Sequence, residues 1–228
     1  MITFNVYDRV FFIRGAKYGT AFTVDVGGRQ YLVTAGHVLG SESDLSSLKV
    51  FFRNTWCALP VEFVGAGKGE IDIAVVAPKQ RMSPSHPLEP NTAGLILGQD
   101  VFFVGYPFKM WSNAGDIMNG RPLPFVKKGT LSAAFDPADD VKRLYVDAIN
   151  NEGFSGGPIV FAQGTSTNYQ VAGVVSKFKT EYEPVLDEHD NPTGHRVAYN
   201  TGFLVGYSIN HALSIIRANP IGFSLSDA

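Results

Sequence analysis

The chain has 228 residues, of which 45% are hydrophobic and 18% are charged, and its formal net charge is −2. The near-neutral charge excludes the strongly basic surface of a typical nucleic-acid-binding domain. The apolar content excludes a disordered chain and is sufficient for a real core.

The single cysteine, Cys57, excludes an intramolecular disulfide and any metal site built from paired cysteines. It follows Trp56 in a strand-like run and is predicted to be a small core residue. No apolar run approaches the ~18 residues of a membrane span, and the first residues lack the basic and apolar regions of a signal peptide. We therefore expect no nucleic-acid or membrane partner, and a cytoplasmic location.

Short apolar and β-branched runs between turn residues dominate the first third of the chain. They predict six strands, at residues 10–13, 20–26, 31–34, 48–52, 61–64 and 71–76. Gly27 and Gly28 are typical of a hairpin turn between the second and third strands. Residues 78–98 contain four prolines and little periodicity, which indicates a connector.

The second half of the chain repeats this character and then ends in a helix. Six further strands are predicted at residues 101–104, 129–133, 144–146, 158–161, 171–176 and 197–207. The apolar spacing after Ser208 predicts a helix over 208–219 that docks on the second β-unit and ends before Pro220. The chain is therefore predicted to be all-β, with domains at 1–95 and 96–228.

The segment Gly153-Phe-Ser-Gly-Gly-Pro158 carries the clearest chemical signal. A serine between glycines can be exposed on a tight turn, and the amides of Gly153 and Ser155 could converge on a developing oxyanion. Ser155 would need a base, and that base would need a carboxylate to orient it. His37, at the end of an apolar strand, and Asp72, at the head of another, can supply both.

Three segments, 31–37, 72–75 and 153–158, resemble the signatures of the trypsin-like serine protease family and stand in its order of His, Asp and Ser. Segments 105–107 and 146–150 are also similar to the bacterial Deg-like, disulfide-free branch. The resemblance implies two six-stranded antiparallel β-barrels of the chymotrypsin type with a C-terminal helix. It implies a serine endopeptidase in which His37 is the base, Asp72 orients it, and Ser155 forms an acyl-enzyme without a cofactor.

The same resemblance locates the primary specificity pocket beside the nucleophile. Its walls are expected before the serine and on the strand after it, at Ile149, Asn150, Glu152, Val175, Ser176, Lys177 and Phe178. No aspartate lies at the expected pocket floor, so a neutral, small or medium apolar P1 residue is predicted. Phe178 stands where relatives often have glycine and would narrow the pocket.

Several alternatives accompany this interpretation. Phe154 replaces the acidic residue that pairs with a new N-terminus in secreted relatives, so zymogen cleavage is not expected. The Gly-x-Ser-x-Gly pattern also matches α/β-hydrolases, but these need a helix where residues 158–162 predict a strand. Asp187, His189 and His195 could form a metal site, although a solvated hairpin tip is favoured. The alternative function is that of a catalytically silent scaffold, which acts as a protein-binding or signalling module. The expected partners are a protein or peptide substrate and, in addition, a sensor or effector protein.

Overall fold

The computed structural model describes residues 2–84, 86, 88–113, 115–134, 140–164 and 166–227. Strands dominate and form two sheets, and short helices begin the chain (α1, Phe4–Tyr7) and follow the third strand (α2, Gly36–Leu39). Short 3-10 helices cover Glu42–Ser47, Pro107–Lys109, Gly115–Met118 and Leu225–Asp227. No helix among the described residues is long and apolar enough to cross a membrane.

The first sheet is built mainly from the first 78 residues and is antiparallel. Gly27 and Gly28 form the predicted turn, with φ of 59° and 74°. Arg53 and Asn54, also at positive φ, make a second tight hairpin that adds a strand beyond the six predicted, in the strand-like run that contains Cys57. The strands are β1 (Val10–Arg14), β2 (Tyr18–Val26), β3 (Arg29–Thr34), β4 (Lys49–Phe52), β5 (Thr55–Ala58), β6 (Val61–Ala66) and β7 (Ala74–Pro78). In the sheet they lie in the order β5-β4-β1-β2-β3-β7-β6.

The second sheet consists of β8 (Glu89–Pro90), β9 (Asp100–Gly105), β10 (Phe125–Ala134), β11 (Arg143–Asp147), β12 (Pro158–Ala162), β13 (Tyr169–Leu186) and β14 (Pro192–Ser208). These strands lie in the order β12-β9-β10-β11-β14-β13-β8, and β12 also pairs with β13. The pairs are antiparallel except for the short β8, which runs parallel to β13. Because residues after the nucleophile segment form strand β12, the α/β-hydrolase alternative is excluded.

The last strand, β15 (Phe223–Ser224), returns to the first sheet and pairs with β3. The described sheets thus contain eight and seven strands rather than six each, because the four-residue β5 and the two-residue β15 join the first sheet and the two-residue β8 joins the second. One apolar cluster spans both sheets and includes Phe22 and Val33 of the first with Val104 and Val160 of the second. The predicted all-β double barrel with a C-terminal helix is confirmed.

Helix α3 (Ile209–Ala218) matches the predicted helix, and the Ser208 hydroxyl accepts from the Asn210 amide at its start. It contacts β13 and β14 but also β6 and β7 of the first sheet. A Cβ on Gly65 of β6 would lie 2.7 Å from the Ile215 side chain, so glycine permits this close approach. The expectation that the helix docks on the second unit alone is therefore corrected.

The connector between the sheets is anchored by a buried arginine. Arg9 is fully buried and makes two hydrogen bonds to the Asp25 carboxylate, at 2.9 and 2.6 Å. Its Nε also donates to the carbonyl of His86 at 2.8 Å. Residues 85 and 87 of the predicted connector lie outside the described residues. Arg9 thus ties the connector to strand β2.

Strands β13 and β14 continue well beyond the sheet as a two-stranded ribbon, which we call the arm (Lys179–Asn200). The sequence predicted that the first strand ends at residue 176, but it extends to Leu186. Asp187 accepts hydrogen bonds from the His189 and Asn191 amides at the tip, which is a turn of ordinary type. These turn hydrogen bonds favour the hairpin-tip interpretation, and the described residues contain no group of three or more potential metal ligands.

Candidate active site

His37 and Asp72 meet where two strands of the first sheet end. His37 lies in α2, directly after β3, and Asp72 lies two residues before β7. The His37 Nδ1 atom is 2.7 Å from Asp72 Oδ2, and the His37 amide donates to Asp72 Oδ1 at 2.9 Å. The two bonds fix the imidazole with Nδ1 facing the carboxylate, which leaves Nε2 for a reacting group.

The Asp72 carboxylate is stabilised from both sheets. The Ser176 hydroxyl, at the point where β13 leaves the barrel, donates to Asp72 Oδ2 at 2.5 Å. Burial of the carboxyl raises its pKa, but the hydrogen bonds from the His37 side chain, from Ser176 and from the His37 amide outweigh burial and lower the pKa to about 2. Asp72 therefore remains ionised at any ordinary working pH.

Ser155 lies on a tight turn that only glycines can build. Gly153 has φ of 100°, and a Cβ there would lie 2.1 Å from the Tyr106 carbonyl oxygen. Gly156 has φ of 84° and would place a Cβ 2.1 Å from the Thr20 carbonyl oxygen. The Ser155 hydroxyl donates to the Ser176 carbonyl at 2.8 Å, so its proton is directed to β13 in this structure.

Thr20 on β2 holds this turn from the first sheet, a role that sequence reasoning missed. Its buried hydroxyl donates to the Gly153 carbonyl at 2.7 Å and accepts from the Tyr106 amide at 3.2 Å. Its amide donates to the Ser155 carbonyl at 2.9 Å. Nothing in the local sequence marks Thr20, because its partners are more than 85 positions away.

The peptide unit between Glu152 and Gly153 has a defined orientation. The Phe108 amide donates to the Glu152 carbonyl at 2.8 Å. In a trans peptide the N–H points opposite to the carbonyl, so the Gly153 amide faces away from Phe108. Within the described part of the chain, neither the Gly153 nor the Ser155 amide donates to another group. Both donors are therefore available to an incoming acceptor.

A cavity of about 410 Å³ contains His37, Asp72 and Ser155 together. Of the residues predicted for the specificity pocket, the cavity is lined by Asn150, Glu152, Ser176, Lys177 and Phe178. Val175 is instead fully buried in the core of the second sheet, and Ile149 is 60% exposed and outside the lining. The cavity lining also includes Asn151, which lies within the predicted wall, and Glu70, Thr180 and Tyr207, which were not predicted.

The wall formed by residues 149–152 is held by two side chains that the sequence analysis did not identify. The Lys127 ammonium donates to the Ile149 carbonyl at 2.6 Å and to Asn151 Oδ1 at 2.5 Å. Partial burial lowers the pKa of Lys127. The Asn200 amide group donates to the Asn150 carbonyl at 2.6 Å. This wall is therefore attached to β10 and to the base of the arm.

Comparison with family models matches residues 19–166 to the trypsin-like peptidase domain. The matched region is well over half of the chain and contains all three residues of the predicted triad. The chain belongs to the trypsin-like peptidase family. It is accordingly a serine peptidase with the chymotrypsin fold. A comparison with curated proteins finds no significant match to this sequence.

Solved structures support the fold of this trypsin-like peptidase. The active form of the Rv3671c protease from M. tuberculosis has a TM-score of 0.60 at 18% identity, over 93% of this chain and 81% of that one. The inactive form of the Rv3671c protease has a TM-score of 0.59 at 17% identity, over 94% and 90%. The HtrA-type protease AlgW, with a tripeptide, has a TM-score of 0.57 at 20% identity, over 94% and 60%.

Replacing Thr20 by valine in this peptidase is expected to weaken the serine turn. The variant keeps the side-chain shape but leaves the buried Gly153 carbonyl without its donor, which costs about 1–3 kcal/mol in the free energy of unfolding. We also expect the rate of Ser155 modification by a fluorophosphonate to fall about tenfold, because a misplaced donor in the oxyanion site costs at least that much. Urea denaturation and timed labelling measure the two effects.

The matched control is Thr23→Val on the same strand. Thr23 is also buried, but its hydroxyl bonds to Ser83, away from the serine turn. This variant should lose stability while labelling at the wild-type rate. Equal labelling rates for Thr20→Val and Thr23→Val would show that Thr20 does not position the turn.

The lowered pKa of Asp72 predicts how stability changes in acid. A carboxyl whose pKa falls on folding adds stability above its unfolded value of 3.8, and this contribution is lost as the pH falls toward the folded value of about 2. Wild-type protein should therefore lose more unfolding free energy between pH 5 and pH 2.5 than Asp72→Asn loses. Urea denaturation at several pH values measures this difference, and parallel pH profiles would contradict it.

Proposed function

We propose that the protein is a serine endopeptidase that cleaves peptide bonds through an acyl-enzyme on Ser155. The observation that carries the proposal is the His37–Asp72 hydrogen bond in the cavity that also contains Ser155. A serine, a histidine and a half-buried carboxylate that line one cavity are the parts of a nucleophile, its base and an orienting group. Together they support covalent hydrolysis without a cofactor.

In the proposed reaction, Ser155 Oγ attacks the carbonyl carbon of the scissile bond while His37 Nε2 takes its proton. The Gly153 and Ser155 amides donate hydrogen bonds to the negative oxygen of the tetrahedral intermediate. The C–N bond then breaks, and the imidazolium returns the proton to the leaving amine. Water, deprotonated by the same histidine, hydrolyses the ester and regenerates the Ser155 hydroxyl.

This mechanism requires the Ser155 hydroxyl to turn from the Ser176 carbonyl toward His37. The change is a rotation about one side-chain bond, and such rotations are fast and need no backbone movement. A substrate whose backbone N–H donates to the Ser176 carbonyl would displace Ser155 from it. The resting hydrogen bond is therefore compatible with a ready nucleophile.

The alternative of a silent scaffold would be favoured by a closed cleft. The cavity that contains Ser155 is instead open to solvent, and within the described residues the Gly153 and Ser155 amides donate to no other group. These features favour a peptidase. Because no aspartate is expected at the pocket floor and Phe178 lines the cavity, the proposed P1 residue is neutral, apolar and small or medium in size.

Labelling with a fluorescent fluorophosphonate tests the proposal. This probe phosphonylates only serines that a neighbouring base activates, so we expect stoichiometric labelling of wild-type protein and none of Ser155→Ala. Ser214→Ala, an exposed serine on α3, is the matched control and should label normally. If wild-type protein and Ser155→Ala label equally, or if neither labels, the proposed mechanism is wrong.

A further inference from the structure

The arm extends directly from the catalytic cleft. Ser176, Lys177, Phe178 and Thr180 of β13 all line the cavity that contains Ser155. A second cavity of about 470 Å³ shares Asn150–Glu152, Phe178 and Thr180 with the first, and it continues to Ala198 and Asn200 on the arm. The two cavities therefore form one groove that begins at the nucleophile and continues onto the arm.

One edge of β13 is unpaired along this groove. Up to Val175 the strand is occupied, because it pairs with β12 and its Val175 amide and carbonyl bond to Gly157 and Gly156. Beyond that point, within the described part of the chain, β13 pairs only with β14. A free strand edge exposes a row of amides and carbonyls that can accept another extended chain.

The direction of a bound peptide follows from this geometry. The P1 residue must lie beside Ser155, between the wall at 150–152 and the start of the free edge at Ser176. Residues before P1 cannot continue toward Val175, because that part of the edge is occupied. They must therefore run along β13 toward the arm, antiparallel to it. Pro184 has no amide hydrogen, so the continuous ladder ends near Glu183.

The side chains of the arm also suit an extended peptide. Tyr182 pairs with Ala198 on the face that carries Thr180 and Asn200, and its side chain is 59% exposed. Residues 179–200 carry five acidic and two basic side chains. A ribbon with exposed apolar groups and an acidic balance favours a partner with apolar and basic residues.

We propose that the arm is an extended docking site for the substrate segment before the scissile bond, which adds as a strand to the β13 edge from Lys179 to Glu183. This inference rests on the proposed peptidase function and specifies its substrate class. The substrates are unfolded or extended polypeptides with apolar and basic residues four to eight positions before the cleaved bond. Main-chain pairing supplies affinity, and the arm side chains supply selectivity.

A length series of fluorogenic peptides tests the inference. Each peptide has alanine at P1 with an aminocoumarin leaving group, preceded by two, four, six or eight residues. We expect kcat/KM to rise at least about tenfold from the shortest to the eight-residue extension, since two or more added main-chain hydrogen bonds suffice for that. Lysine in the distal positions should give higher values than glutamate, and N-methylation of alternate distal amides should remove the gain.

Two variants locate the effect in the arm. In the first, residues Glu181–Tyr199 are replaced by Asn-Gly, which closes the hairpin because Thr180 pairs with Asn200. It should label with fluorophosphonate at the wild-type rate and cleave the shortest peptide normally, but lose the length dependence. If it does not fold, Tyr182→Ser should reduce the gain, whereas Tyr145→Ser on β11 should not.

Binding to Ser155→Ala separates this inference from the proposed function. A fluorescein-labelled peptide of the longest type should bind Ser155→Ala at least about tenfold more tightly than the same protein with the shortened arm, whether or not wild-type protein is active. A flat length series with normal fluorophosphonate labelling, or equal binding by the two proteins, would overturn the docking site alone. Failure of wild-type protein to label would overturn only the proposed catalysis.

Discussion

Replacing Asp72 by asparagine is expected to lower kcat for peptide hydrolysis on the order of 10⁴-fold while the fold is retained. The carboxylate accepts from both the ring and the amide of His37. An amide in its place presents a donor where the ring needs an acceptor, so the imidazole adopts the wrong tautomer and cannot take the Ser155 proton. The loss concerns the transition state, so KM should change little.

Casein hydrolysis and the rate of fluorophosphonate labelling measure this effect independently. Asp100→Asn is the matched control, because Asp100 is an exposed carboxylate paired with Lys128 on β10, far from His37 in the sequence and outside the cleft lining. It should behave as wild-type protein in both assays. A loss of less than about tenfold in Asp72→Asn would remove Asp72 from the proposed triad.

Replacing Arg9 by methionine is expected to lower the free energy of unfolding by about 3 kcal/mol, the lower end of the range for a broken buried ion pair. The Arg9 side chain is 1% exposed and that of Asp25 is 27% exposed. The Asp25 carboxylate of the variant, which has lost its arginine partner, therefore regains some hydration. The His86 carbonyl also loses its donor. Methionine fills most of the arginine volume, so the effect reports lost polar contacts rather than a cavity.

Urea denaturation measures the change, and the melting temperature should fall by roughly 6–12 °C for a chain of this length. Arg217→Met provides the control, because Arg217 is exposed in the last turn of α3. Its unfolding free energy should stay within about 0.5 kcal/mol of wild type. If both variants lose the same stability, the network around Arg9 is not a structural anchor.

The residues of the proposed triad could be predicted because each of them is marked by its neighbours in the sequence. Ser155 lies among glycines whose positive φ and close backbone contacts exclude other residues, and this need appears directly in the sequence. His37 and Asp72 each border an apolar strand, where a polar residue requires a partner. Their meeting in one cavity was expected from their order and is observed at 2.7 Å.

The residues that support the site were not predictable in the same way. Thr20, Phe108 and Lys127 act through the backbone of residues 149–155, and their partners lie 22 to 135 positions away. A threonine in a strand or a lysine on an edge has many ordinary roles, so its type carries no signal. The placement of Val175 in the core rather than in the cavity likewise depends on where β13 leaves the sheet.

The sequence by itself determined the all-β class and the C-terminal helix and indicated the residues of the proposed triad, because apolar periodicity, capping and glycine turns are local properties. Only the tertiary structure decided how the two sheets share a core, which side chains hold the serine turn, and that β13 continues into a free-edged arm. Those features depend on contacts between distant segments, whose geometry is set by the packing of the whole chain rather than by any local pattern.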